Sequence, residues 1–300
     1  MNLHPNQLSI SSESVRNLVD RQFPAWKSLP IEHVADRGTV NSLFRIGREL
    51  VARFPLRWEA KDIAYKSLQA EADAARALLG STRFPTPAPI AIGEPNENYP
   101  LPWSIYSWLP GTTAAVNDPS ASDLFALDLA EFVLGVRSVD VGSRTFAGTG
   151  RGGDLKTHDE WVETCLQHSE RLLDVGVLRE MWKELRELPR NSIDLMTHGD
   201  LIPSNVLAAG GRLVGVIDVG GLGPADPALD LVGAWHMLEP GPREAFRGAL
   251  RCDDVQWERG KAWALQQALG LVWYYLDSLP DISSMGQRTL QRLVADRATA

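Results

Sequence analysis

The chain has 300 residues, 44% of them hydrophobic and 23% charged, a composition that can bury a sizeable core and that argues against a disordered or fibrous protein. A formal net charge of −8 argues against a nucleic-acid or anionic-membrane partner and suits a cationic ligand. The two cysteines, Cys165 and Cys252, lie far apart without CxxC spacing, which speaks against a zinc site or a disulfide framework and fits a reducing cytoplasm.

The first residues lack the basic start and apolar run of a signal peptide. No segment approaches the twenty or so apolar residues that cross a bilayer, so a cytoplasmic protein is expected. A polar tail leads into a short helix over SSESVRNLVDRQFP. The stretch IEHVADRGTVNSLFRIGRELVARFPLR then alternates β-branched and aromatic residues with polar ones. Gly38 and Gly47 punctuate it, which predicts three short antiparallel strands with turns at 37–42 and 47–49. KDIAYKSLQAEADAARALLG predicts a helix, with Gly80 at its C-terminal cap. Ala64, Leu68, Ala72, Ala75 and Leu79 share one face of that helix, and Glu71 borders it. A carboxylate there needs a partner, and Arg53 on the third strand is the obvious one.

TPAPIAIGEPNENYPLPWSIYSWLPG predicts two more strands around a Pro- and Asn-containing loop. After Gly111 the periodicity turns helical through DPSASDLFALDLAEFVLGVRSV, THDEWVETCLQHSERLL and VLREMWKELREL. A short strand, loop and strand follow across 195–219. Trp-rich helices finish the chain, and Trp257, Trp263, Trp273, Tyr274 and Tyr275 are expected to pack between them. The pattern is α+β, with a small lobe over 1–110 made of five antiparallel strands and one helix. A larger, mostly helical lobe covers 111–300.

The motif HGDLIPSN has the form H-x-D-L-x-x-x-N, and thirteen residues beyond Asn205 stands Asp218 in VIDVG, with DPALDL after it. This set resembles the aminoglycoside phosphotransferase family of kinase-like phosphotransferases. The resemblance runs from about residue 30 to about 290 and is most specific over 198–230. It implies a bilobal protein-kinase-like fold that uses ATP or GTP with Mg²⁺. Asp200 would accept or orient the acceptor hydroxyl, and Asn205 and Asp218 would offer oxygen ligands to Mg²⁺, a hard cation. All three oxygens are expected to converge on one phosphate group, and His198 to brace the loop.

By the same resemblance Gly38 and Thr39 would form a flap over the nucleotide phosphates. Asn41 and Ser42 stand there in place of further glycines. Arg53 occupies the position of the phosphate-gripping Lys, where a guanidinium can still hold phosphate. Glu71 would fix Arg53, and the backbone from Ser107 to Leu109 would meet the adenine edge. Asp226 and Asp230 suit a helix start, while the family pattern makes them braces of the metal and catalytic loops. Gly199 replaces the Arg of regulated protein kinases and no A-P-E motif follows, which favours a small-molecule kinase.

The acceptor so implied is an aminoglycoside-type antibiotic on a monomer or dimer. Asp154, Asp159, Glu160, Trp161, Glu239 and Asp277 are candidates for its amines and ring faces. A macrolide, peptide antibiotic, choline or sugar remains open as acceptor, as does a non-catalytic nucleotide-binding module.

Overall fold

The computed structural model describes residues 7–34 and 40–299, so Gly38 and Thr39 of the expected phosphate flap lie outside the described residues. The chain forms two compact units. The first runs to Leu79, resumes over Pro85–Pro110 and takes in Ile217–Gly220; the second holds Gly80–Phe84, Gly111–Val216 and the chain from Gly221 onward.

In the first unit, α1 (Ser12–Gln22) starts at Ser11, whose hydroxyl accepts the Ser14 N–H. The strands β1 (Ile31–His33), β2 (Asn41–Ile46), β3 (Leu50–Pro55), β4 (Pro89–Gly93) and β5 (Trp103–Ser107) form one antiparallel sheet in the order β1-β2-β3-β5-β4. Alternation sends Phe44, Ile46, Ala52 and Phe54 into a core shared with Val15, Leu18 and Val19 of α1 and with Trp103 of β5. There Phe54 stacks on Trp103 at 4.8 Å. Gly93 makes room for that indole, because a Cβ at position 93 would lie 2.2 Å from Trp103. The helix α2 (Lys61–Leu78) buries Ala64, Leu68, Ala72, Ala75 and Leu78. The expected stripe ended one residue later, at Leu79. The chain leaves helical geometry there, at ψ 122°, and Leu79 is 47% exposed.

The second unit contains β6 (Thr112–Thr113), α3 (Asp123–Arg137), α4 (Asp159–Ser169), α5 (Val175–Leu185), β7 (Leu195–Thr197), β8 (Val206–Ala209), β9 (Arg212–Val216) and β10 (Gly223–Ala225). Then come α6 (Val232–Met237), α7 (Pro240–Leu250), α8 (Asp254–Tyr274) and α9 (Pro280–Thr299). The single strand–loop–strand expected over 195–219 is in fact β7 followed by a β8–β9 hairpin. That hairpin turns at Gly210 and Gly211, both at positive φ. The hairpin takes β6 on one edge, and β7 pairs with β10 instead.

The helix α8 is buried on most sides. Trp263, Ala264, Leu265, Ala268 and Leu269 are fully inaccessible, and Arg259, Gln266 and Gln267 are buried with them. Its charge is matched locally: Arg259 lies 2.7 Å from the buried carboxylate of Asp226. On the other side of the unit, Asp128 of α3 accepts from Arg83, Arg212 and the Leu213 N–H, tying β9 and the 80–84 segment to α3. Among the described residues no helix is long and apolar enough to cross a membrane.

Candidate active site

The HGD segment leaves β7 at Thr197 and turns at Gly199, whose φ of +80° lies in the left-handed region. Asp230, fully buried, accepts the His198 N–H at 2.9 Å and the Gly199 N–H at 2.8 Å. The loop backbone is therefore clamped by one carboxylate, the bracing role implied for Asp230. Asp226 does something else. Its carboxylate accepts from the Ala228 N–H, Arg259 and Trp263, which makes it a cap and an ion-pair partner of α8. His198 is 1% exposed, and its Nδ1 accepts the Asp200 N–H at 3.3 Å, so the ring braces the turn from within.

Pro203 starts a single 3₁₀ turn that ends at Asn205. The Asn205 Nδ2 donates to the Asp200 carbonyl at 3.0 Å and to its Oδ2 at 2.9 Å. Both bonds use the nitrogen, which leaves the amide oxygen for a ligand. Two further donors reach the other carboxylate oxygen, Asp200 Oδ1: Arg151 Nη2 at 3.0 Å and Gln267 Nε2 at 2.7 Å.

Neither Arg151 nor Gln267 is foreseen from the sequence. The available signal for Arg151 is the glycine pair that follows it. Gly152 sits at φ +106°, and a Cβ there would lie 2.6 Å from the Ala225 Cβ. A cavity of about 310 Å³ in the second unit is lined by Arg151 and Asp200 together with Phe146, Pro224, Ala225 and Leu229.

The first unit carries the second group of candidates. Arg53 lies 3.1 Å from Asp218 and 3.8 Å from Glu71, with its guanidinium 5.4 Å from the centre of the Tyr106 ring. The expected Arg53–Glu71 pair is present, yet the nearer partner is Asp218. Burial raises the pKa of Glu71, and Arg53 partly opposes this. Gly220 lets the chain pass that carboxylate, since a Cβ there would meet Glu71 at 2.9 Å. Asp218 itself has φ +60°, and its side chain is 52% exposed. Asn41 and Ser42 are the first two residues of β2, paired in register with Pro55 and Phe54, and Ser42 Oγ lies 3.4 Å from His33 Nε2. The Ser107 N–H donates to Ala88 O and the Trp108 N–H to Glu49 O, so of the three expected adenine-facing amides only that of Leu109 has no partner among the described residues.

The six residues expected to meet an acceptor's amines are distributed differently. Asp159 accepts from Arg186 and from the Trp182 indole, and although burial raises its pKa these bonds outweigh it and hold the carboxyl below its usual range. Glu239 is paired with Arg292 at 2.8 Å. Asp154 caps the turn at 155–158 by accepting the Lys156 N–H. Trp161 lies against Trp273 at 6.1 Å, and Glu160 and Asp277 are exposed. None of the six lines the Asp200 cavity.

For a divalent cation the residues present fit by chemistry. Among the described residues there is no cluster of three or more His, Cys, Asp or Glu able to hold a metal. The Asn205 amide oxygen and the Asp218 carboxylate are hard oxygen donors. Mg²⁺ typically takes one or two such protein ligands and completes its shell with phosphate and water.

A five-stranded antiparallel sheet with its helix, a mostly helical unit and a loop that bonds carboxylate to amide are the parts of a kinase-like fold. The chain belongs to the phosphotransferase enzyme family, whose family model matches residues 34–263. An aminoglycoside 3'-phosphotransferase of Escherichia coli is 39% identical over 62 residues, which cover 20% of this chain and 23% of that relative. The chain thus matches about a quarter of the curated relative's length. Among solved structures, the GDP complex of aminoglycoside 2'-phosphotransferase-IIIa superposes with a TM-score of 0.69 at 19% identity, covering 95% of this chain and 99% of that one. A macrolide 2'-phosphotransferase from Brachybacterium faecium superposes with a TM-score of 0.60 at 18% identity, covering 92% and 97%.

Proposed function

We propose that the protein transfers the γ-phosphoryl group of ATP or GTP to a hydroxyl of a small molecule, an aminoglycoside-type antibiotic being the first class to test. The observation that carries this reading is the Asp200 carboxylate bonded to the Asn205 amide on a loop clamped by Asp230. That relatives in sequence and in structure are aminoglycoside phosphotransferases supports the acceptor class. In the reaction the acceptor oxygen forms a bond to the γ-phosphorus while the bond to the β–γ bridging oxygen breaks and the nucleoside diphosphate leaves. The hydroxyl proton passes to Asp200. Arg53 supplies positive charge for the nucleotide phosphates, with Asp218 and Glu71 orienting its guanidinium. Asn205 and Asp218 would hold Mg²⁺, which when bound neutralises charge on the phosphate oxygens.

One observation favours a second acceptor class, a mostly apolar macrolide-type alcohol with one amine in place of several. Arg151 and Asp200 face a cavity otherwise lined largely by apolar side chains, and Asp159 and Glu239, which do not line it, are paired with arginines. A polyamine would find little compensating charge there.

The discriminating experiment measures ADP or GDP release over aminoglycosides, macrolides, choline and simple sugars with each nucleotide. Asp200→Asn should lower turnover by about 10²- to 10⁴-fold, the range for losing a general base, while nucleotide binding persists. Undiminished turnover would sink the mechanism. Asp218→Ala should remove the Mg²⁺ dependence of nucleotide binding, and an unaltered metal titration would count against that residue.

A further inference from the structure

We propose that Gln267 and His236 are positioning residues for Asp200: a buried chain from Thr289 through His236 and Gln267 orients the carboxylate and decides which of its oxygens meets the acceptor. The proposal rests on Asp200 being the base. It uses three helices, with His236 on α6, Gln267 on α8 and Thr289 on α9.

The distances are short throughout. Gln267 Nε2 lies 2.7 Å from Asp200 Oδ1, Gln267 Oε1 lies 3.1 Å from His236 Nε2, and His236 Nδ1 lies 2.8 Å from Thr289 Oγ1. All three side chains are buried, Thr289 completely. The charge of Asp200 sets the polarity of the whole chain. An ionised carboxylate only accepts, so Gln267 must turn its NH₂ toward it and its oxygen toward His236. That oxygen only accepts, so His236 must carry its proton on Nε2. Burial keeps the imidazole neutral, which leaves Nδ1 as an acceptor for the Thr289 hydroxyl. The Thr289 hydroxyl also lies 3.0 Å from the Met285 carbonyl, to which it can donate instead. We assign its one proton to the ring, the shorter contact at 2.8 Å.

The consequence falls on the carboxylate. Among the described residues, Oδ1 receives both Arg151 and Gln267, whereas Oδ2 receives only Asn205 Nδ2. The open lone pair is therefore on Oδ2, and a hydroxyl approaches that atom. An amide does not pass a proton along such a chain, so Gln267 orients and does not conduct. Without the His236 N–H the amide is free to flip and present Oε1 to Oδ1, two acceptors face to face.

The first test uses the wild-type protein labelled with ¹⁵N-histidine. His236 should appear as the neutral Nε2–H tautomer at pH 7, and the Nδ1–H tautomer would overturn the proposal. The second measures ADP release with ATP and kanamycin, and with ATP and water alone. Gln267→Met should lower kcat about 10- to 100-fold, the cost of a reacting group misplaced by up to an ångström, with the KM for ATP unchanged. His236→Leu should cause a similar loss alone and no further loss in the Gln267→Met background. His236→Gln, whose amide can still donate to Gln267, should recover most of it. Losses that multiply in the double variant, or that fall on KM, would overturn the assignment. Should a variant fail to fold, the wild-type tautomer still decides. Asp200→Asn separates the two readings: full turnover in that variant removes the base, while His236 reports on the chain independently.

Discussion

Asp230 holds the backbone of the turn that carries Asp200. It is fully buried, and its two oxygens satisfy the N–H groups of His198 and Gly199, which cannot reach water. Asp230→Asn keeps the volume but replaces one acceptor with a donor, so one loop N–H is left unmatched. A stability loss of about 1–3 kcal/mol is expected in chemical denaturation, together with a fall in kcat, since the turn carrying Asp200 loses its clamp. Equal stability of variant and wild type would refute this. Residue contacts also mark what a sequence can reveal. Asp200 and Asn205 bond across five positions, so their spacing is itself the signal. Arg151 and Gln267 reach Asp200 from 49 and 67 positions away, and no local pattern encodes such a meeting. The same blindness affected the acceptor candidates: Asp159 reads as a free anion until Arg186, 27 positions on, is seen bonded to it.

At the scale of elements, α8 is held against the 227–231 turn by a glycine. A Cβ on Gly260 would lie 2.5 Å from the Leu231 Cβ and 3.3 Å from the Ala228 carbonyl. Gly→Ala inside a helix ordinarily stabilises by up to about 1 kcal/mol, but overpacking a rigid contact costs about 1–3 kcal/mol. Gly260→Ala should therefore lower the melting temperature and, by displacing the turn that carries Asp226 and Asp230, activity as well. Gly248→Ala in α7, with nothing within 4 Å of its Cβ, should raise the melting temperature slightly. If both substitutions moved the melting temperature in the same direction, the packing account would fail. Elements of this length were also the readable ones. The β2 and β3 alternation and the long helical periods stand out because many residues repeat one pattern. β6 and β10 have two and three residues, too few for any period, and exist only because β8 and β7 offer them an edge.

Over the whole molecule the shifted groups of the two units are expected to favour opposite responses to acid. In the second unit burial pushes His236 down to about 4, while its ordinary value is near 6.5. A histidine depressed in the folded state contributes stability that is full above pH 6.5 and is lost as pH falls toward the folded value, because the unfolded chain binds the proton first. The shift corresponds to roughly 3 kcal/mol at its largest. Asp128 in the same unit adds a further loss below its usual pKa of 3.8: burial raises it, but Arg212, the Leu213 N–H and Arg83 outweigh burial and lower it. In the first unit Glu71 is raised by burial, so its folded form takes up a proton more readily and the unit gains on acidification. Hydrogen exchange followed between pH 7 and pH 4.5 should show protection falling in α6, α8 and α9 while β2, β3 and α2 hold or gain. His236→Gln should reduce the loss in the second unit, where His158 is also lowered by burial and keeps its share, and leave the first unchanged. Parallel loss of protection in both units would mean that His236 does not carry the acid sensitivity.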